Sequence, residues 1–261
     1  PSFPTRRSSD LPDGNSLAAL DAETGAVLWR KYDDIASFSS PMPATFGKRR
    51  QILFFTGERL VSVDPETGLG LWQHAWPIEY QCNIATPIVT QDYVFISSGY
   101  GRGCALLKID PPAESEGEWN VSLVYKNRKM RNHFSTCVRH KNLLFGFDDS
   151  ILRCMDLQTG EVQWSERGFD KGSILLAGDQ LIIHGESGAV ALARATADGY
   201  DEISRLQLSD QRTACWSVPV IANGRLYLRD TKKIVCYDVR VDRDQPKDQT
   251  PGTDETGAAK R

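Results

Sequence analysis

Three copies of one short pattern constrain this chain more than any other feature. Asp21-Ala22-Glu23-Thr24-Gly25 precedes Trp29, Asp64-Pro65-Glu66-Thr67-Gly68 precedes Trp72, and Asp156-Leu157-Gln158-Thr159-Gly160 precedes Trp164. The Trp follows the Asp by eight residues in every copy. A short alternating stretch leads into the Asp, as in Leu152-Arg153-Cys154-Met155. Each copy therefore reads as strand, turn, strand. An Asp side chain closes a tight turn by accepting bonds from the backbone N–H groups just ahead of it. Glycine supplies the positive φ, and the indole offers a flat apolar face with one N–H, which suits a wedge between neighbouring sheets.

Degenerate copies occupy the gaps. Leu106-Leu107-Lys108-Ile109-Asp110 is followed by Trp119, one residue further on than in the full copies. Ala189-Val190-Ala191-Leu192-Ala193-Arg194 fills the same slot without the Asp, and Ile234-Val235-Cys236-Tyr237-Asp238 repeats the first half. The period is forty-odd residues with four strands in each, the signature of a β-propeller blade. The expected fold is all-β, with four-stranded antiparallel blades and tryptophan-docking repeats. About five full blades plus partial ones are expected, part of a ring of seven or eight.

The repeats set the boundaries. Residues 1–12 do not resemble the rest and are read as a non-native or disordered tail. Residues 13–240 form the propeller. From residue 241 the chain is polar and rich in Pro, Gly and charge, which predicts a disordered tail. The first unit carries only trailing strands and the last lacks its final one. The expectation is an N-terminally truncated fragment.

Composition excludes several classes. The chain has 261 residues, 40% hydrophobic and 25% charged, with a net charge of −3. No basic stripe points to nucleic acid, and no apolar run reaches the length of a membrane span. The cysteines Cys82, Cys104, Cys137, Cys154, Cys215 and Cys236 form no C-x-x-C pair, so zinc and c-type haem find no support. Cys154 and Cys236 stand two residues before a repeat Asp, where other copies have Ala19 and Ser62, so a small buried side chain is expected there.

The run Ala19-Leu20-Asp21-Ala22-Glu23-Thr24-Gly25 with Leu28-Trp29 resembles the docking repeat of the pyrroloquinoline-quinone (PQQ)-like β-propellers. That family includes quinoprotein alcohol dehydrogenases and the outer-membrane assembly lipoprotein BamB. The segments 144–157 and 215–230 look closer to uncharacterised repeat proteins of planctomycetes and related bacteria. The resemblance implies a non-catalytic scaffold that binds a protein or other ligand in the cell envelope, periplasmic or otherwise exported. It also implies an alternative, a PQQ-dependent alcohol or sugar dehydrogenase that would need PQQ and calcium. No adjacent Cys pair occurs and no catalytic, cofactor-binding or metal residue transfers by position, so none is assigned and no cofactor is expected on the first reading.

Other constellations carry bland readings. Asp148-Asp149 is the best acidic pair, expected as a solvated turn rather than a calcium site. Gly99-Tyr100-Gly101-Arg102-Gly103 joins two strands and opens no helix, which counts against a nucleotide site. Lys126-Asn127-Arg128-Lys129-Met130-Arg131 is expected as a solvated connection rather than an anion-binding lip. His74, His133, His140 and His184 lack metal spacing and are expected as loop or packing residues.

Overall fold

Strands form where the alternating stretches predict them. The computed structural model describes residues 15–114, 117–208 and 214–240. The first unit holds β1 (Leu17–Leu20) and β2 (Val27–Lys31). The second holds β3 (Met42–Phe46), β4 (Arg49–Phe55), β5 (Arg59–Val63) and β6 (Gly70–Ala75). The third holds β7 (Ile88–Val89), β8 (Tyr93–Ser98), β9 (Gly103–Asp110) and β10 (Asn120–Asn127). The fourth holds β11 (Val138–His140), β12 (Leu143–Asp148), β13 (Ile151–Asp156) and β14 (Val162–Glu166). The fifth holds β15 (Gly172–Ala177), β16 (Gln180–Gly185), β17 (Ala189–Arg194) and β18 (Asp201–Gln207). The sixth holds β19 (Val220–Ala222), β20 (Arg225–Arg229) and β21 (Ile234–Asp238). A 3-10 turn at Glu79–Gln81 is the helical element among the described residues.

Each unit is an antiparallel meander, its strands paired in chain order. Four units have four strands, the first has two and the last three among the described residues. The tails read as 1–12 and 241–261 lie outside the described residues.

The units pack face to face in series. Leu17 and Trp29 meet Val61 and Val63 of the second unit. Phe46, Leu53 and Phe55 meet Val94, Ile96 and Leu107 of the third. Leu106 meets Leu144 and Met155 of the fourth. Phe145 and Leu152 meet Leu181 and Ile183 of the fifth, and Ile182 and Val190 meet Leu226 and Leu228 of the sixth. Side chains alternate between the two faces of a strand, so Leu144 and Phe145 face opposite neighbours. Sheets covered on both faces need nearly continuous apolar strands, and β12 reads Leu-Leu-Phe-Gly-Phe for that reason. This stacking of small meanders is the blade arrangement of a β-propeller.

The repeated turn behaves as its chemistry predicts. Asp64 Oδ1 accepts from Glu66 N (3.1 Å), Thr67 N (2.9 Å) and Thr67 Oγ1 (2.9 Å). Asp21 does the same with Glu23 and Thr24, and Asp156 with the N–H groups of Gln158 and Thr159. The Trp then pairs across the hairpin with the residue two before the Asp: Trp29 with Ala19, Trp72 with Ser62, Trp164 with Cys154. A bulge follows at once in all three, and again at Leu192/Ala193 of the fifth unit. The extra residue bends the outer strand and fixes the aim of the indole.

The rings then meet the next unit's turn. Trp29 Nε1 donates to Pro65 O (3.0 Å), and a Cβ on Gly68 would lie 2.6 Å from its ring. Gly68 has φ +67°, so the position excludes other residues on both counts. Trp164 Nε1 donates to Thr196 O (2.8 Å) of the fifth unit. Trp72 differs: its N–H goes to Gln51 Oε1 (2.8 Å) within its own unit, although its ring belongs to the apolar cluster shared with the third unit. The turn it would meet has lost its Gly to Pro111-Pro112.

Two expectations need correction. Trp119 does not occupy the docking place, because Lys108 pairs with Ser122 there and Trp119 precedes the strand. Tyr125 docks instead, its hydroxyl donating to Leu157 O (2.9 Å) and its ring 2.8 Å from where a Cβ on Gly160 would sit. Cys154 is buried, but Cys236 is exposed, since no fourth strand covers β21 among the described residues. Cys82, Cys104, Cys137, Cys154 and Cys236 stand as free thiols.

Asp64→Ala is expected to destabilise the protein by about 1 kcal/mol in urea unfolding, and Asp64→Asn, which keeps an acceptor, by much less. The Thr67 N–H holds the Asp64 carboxyl below its ordinary 3.8, and the Thr24 hydroxyl does the same for Asp21. A depressed folded value means stability that is full above pH 4 and lost as pH falls through the folded value. Equal cost for Ala and Asn would show that the acceptor is not what matters.

Candidate functional site

In an antiparallel meander, alternate connections emerge at opposite ends. One end of the sheets carries the Asp-Thr-Gly turns. The other carries the hairpins 56–58, 99–102, 149–150 and 186–188 together with the links between units, such as 76–87, 128–137 and 167–171. On this second end, the linker face, the repeat is absent and each unit differs.

An arc of rings runs across that face. Tyr80 lies 5.1 Å from Tyr100, Tyr100 4.8 Å from His133, His133 6.1 Å from Phe134, and Phe134 5.8 Å from Trp216, centroid to centroid. They come from four places: the link before the third unit, the β8–β9 hairpin, the link before the fourth, and the link before the sixth. Tyr80, Tyr100 and Trp216 are 68%, 43% and 60% exposed, so the arc presents aromatic surface to solvent. Tyr80 (φ +61°), Tyr100 (φ +49°) and Asp149 (φ +56°) are held in the left-handed region, which side-chain-bearing residues seldom adopt. Such strain gathers where a surface is shaped for a ligand.

The arc is fixed from beneath. Ser135 Oγ donates to Gly172 O (2.7 Å), Thr86 N to Thr136 Oγ1 (2.9 Å), and Trp216 Nε1 to Glu186 Oε1 (2.6 Å). A cavity of about 440 Å³ opens beside Tyr100, lined by Gly99, Gly101, Arg131, His133, Asp149 and Lys171. Lys171 Nζ sits 3.0 Å from His133 Nδ1 and 3.4 Å from Asp149 Oδ1. Burial, and then the Lys171 charge, lower the His133 pKa, so the neutral ring accepts from the ammonium at pH 7.

Several sequence expectations change here. Asp148 is not a solvated turn residue but a buried one. Its carboxylate takes Arg131 Nε (2.5 Å), Nη2 (3.0 Å) and backbone N (3.0 Å), and Arg153 Nη1 (3.0 Å). With both oxygens committed to guanidinium groups it does not fit a calcium ion, and Asp149 alone makes no ligand set. Among the described residues no three His, Cys, Asp or Glu side chains converge as metal ligands. The run 126–131 is not one solvated connection: Met130 is fully buried and Arg131 belongs to Asp148. His184 is buried in the fifth unit, His74 lies beside Trp76, and only His133 joins the arc. Sequence reasoning missed Tyr80, Tyr100, Phe134 and Trp216. They lie in links and in one hairpin outside the repeat, where no pattern marks them.

The model of the outer membrane protein assembly factor BamB family matches residues 7–166, more than half of the chain. The chain belongs to that family of PQQ-like β-propellers. BamB from Moraxella catarrhalis superposes with a TM-score of 0.62 at 17% identity, over 86% of this chain and 66% of that one. This chain therefore spans just under two thirds of that BamB. A europium-containing methanol dehydrogenase gives 0.55 at 10% identity, over 82% and 57%. The β-propeller domain of Myceliophteria thermophila Cps50 (Swd1) gives 0.54 at 12%, over 90% and 85%. These three show the fold alone. The sequence matches no curated protein.

Removing the Asp148 carboxylate strands two guanidinium groups beside a buried site. Asp148→Ala is expected to cost about 3 kcal/mol in chemical unfolding. A cost below about 1 kcal/mol would show that water serves these arginines equally well.

Proposed function

From its family membership, we propose that this chain is a non-catalytic scaffold of the cell envelope that binds a protein partner on its linker face. The exposed aromatic arc carries the reading. Tyr, Trp and Arg dominate binding energy at protein interfaces, and here Tyr80, Tyr100 and Trp216 stand on a rigid frame with Arg131 among them. Their backbones are held in one conformation by links tied to adjacent units, so little ordering entropy is lost on binding. The family's role in outer-membrane protein assembly supports an exported location and a protein as the ligand. No helix of the described residues is long and apolar enough to cross a membrane.

A photo-crosslinking amino acid at Tyr100 or Trp216, with Leu69 on the opposite end as control, tests this in the intact envelope. The arc positions are expected to capture one discrete protein that Leu69 does not. Tyr100→Ala and Trp216→Ala are then expected to weaken binding of that protein at least tenfold with unfolding unchanged. Equal capture from Leu69 would contradict the placement. Stoichiometric uptake of added PQQ and calcium, with dye-linked alcohol oxidation, would overturn the non-catalytic reading in favour of the dehydrogenase.

A further inference from the structure

Arg102, Lys126 and Arg128 gather at the junction of the second and third units, and among the described residues none forms an ion pair with an acid. Arg102 lies in the β8–β9 hairpin, Lys126 at the end of β10, and Arg128 two residues on. Beneath them is Trp76, fully buried, with its Nε1 donating to Ser98 Oγ (2.9 Å), which donates in turn to Asn83 Oδ1 (2.6 Å). The Arg102 guanidinium carbon sits 4.3 Å and Lys126 Nζ 5.2 Å from the Trp76 ring centroid. The indole face thus holds two like charges close together, an arrangement each cation alone would favour and the pair resists.

Among the described residues, no carboxylate makes an ion pair with any of the three. Arg102 is half-buried, Lys126 and Arg128 are exposed, and the half-buried cations singled out above have a carboxylate each: Arg131 and Arg153 have Asp148, and Lys171 has Asp149. The Arg102 Nε–H is buried without an acceptor. Buried donors of a charged group are costly to leave unmade and are normally satisfied. The three side chains, with Gly101 and Asn127, line a cleft of about 270 Å³. The strain is visible in the neighbours: burial and then Arg102 and Arg128 lower the Lys126 pKa, while burial and then Lys126 and Arg102 lower that of His74.

We propose that this cleft binds a phosphate group, either free or on a phosphorylated lipid headgroup. A guanidinium fork matches tetrahedral oxyanions in geometry, and a dianion offers enough acceptors for three cations at once. A bound dianion also removes the mutual repulsion over Trp76. The site lies beside the aromatic arc, sharing Gly101 with its cavity, but uses none of the residues on which the protein-binding reading rests.

Calorimetric titration of the whole chain with inorganic phosphate, at ionic strength matched with chloride, tests it. Saturable binding is expected, weakened about tenfold by Arg128→Gln and further by Lys126→Gln with Arg128→Gln. Both changes are peripheral, and Arg128 does not touch the indole, so folding is retained in the single variant. The His74 imidazole gives a second readout by NMR. Phosphate is expected to raise its pKa, because neutralising Lys126 and Arg102 removes the part of the lowering that their charges add to that of burial. Vesicles of phosphatidic acid in phosphatidylcholine separate the sources: capture by these vesicles with no response to free phosphate identifies a headgroup, and the reverse a soluble phosphate. Heat and His74 shifts no larger than those of chloride, with no vesicle capture, would overturn the proposal. So would undiminished binding in the double variant.

Discussion

Contact between an aromatic ring on the outer strand of one unit and the turn of the next is what makes this chain one body. A four-stranded meander buries too little by itself to be stable, and its two faces are both apolar. Face-to-face packing supplies burial but little direction, since alternating Val, Leu and Phe could slide by a residue pair. The docked ring supplies direction. Trp29 reaches Pro65 O and covers Gly68, Tyr125 reaches Leu157 O and covers Gly160, and Trp164 reaches Thr196 O. Each bond spans two units and sets their separation and angle at the outer edge.

The device works because several small requirements agree. The Asx turn presents its carbonyls outward, the glycine leaves room for a flat ring, and the bulge beside the Trp aims it. Where one part is lost, another replaces it. With Pro111-Pro112 in place of a glycine turn, Trp72 turns its N–H to Gln51 and keeps only its apolar contact. With Ser122 at the Trp register, Tyr125 three residues on does the docking.

This explains how much could be read from the sequence. The turn, the Trp spacing and the strand periods are local and repeated, so the class of fold was legible. The substitution of Tyr125 for Trp119 was not, because it depends on a bulge at Leu123/Tyr125 that spacing alone does not reveal. Asp148 was misread because its partners Arg131 and Arg153 lie in the preceding link and the next strand, and only the fold brings them together. The aromatic arc was illegible for a deeper reason. It is assembled from links that share no pattern, and the regularity that reveals the blades excludes the parts that differ between them.

A double-mutant cycle between Trp29 and Gly68 tests the docking most directly. Gly68→Ala alone must place a Cβ against the indole as well as strain the backbone at positive φ; in a Trp29→Ala background only the strain remains. The account predicts a coupling energy of about 1 kcal/mol or more, with Gly68→Ala clearly milder once the ring is gone. Additive losses, with Gly68→Ala costing the same in both backgrounds, would contradict it.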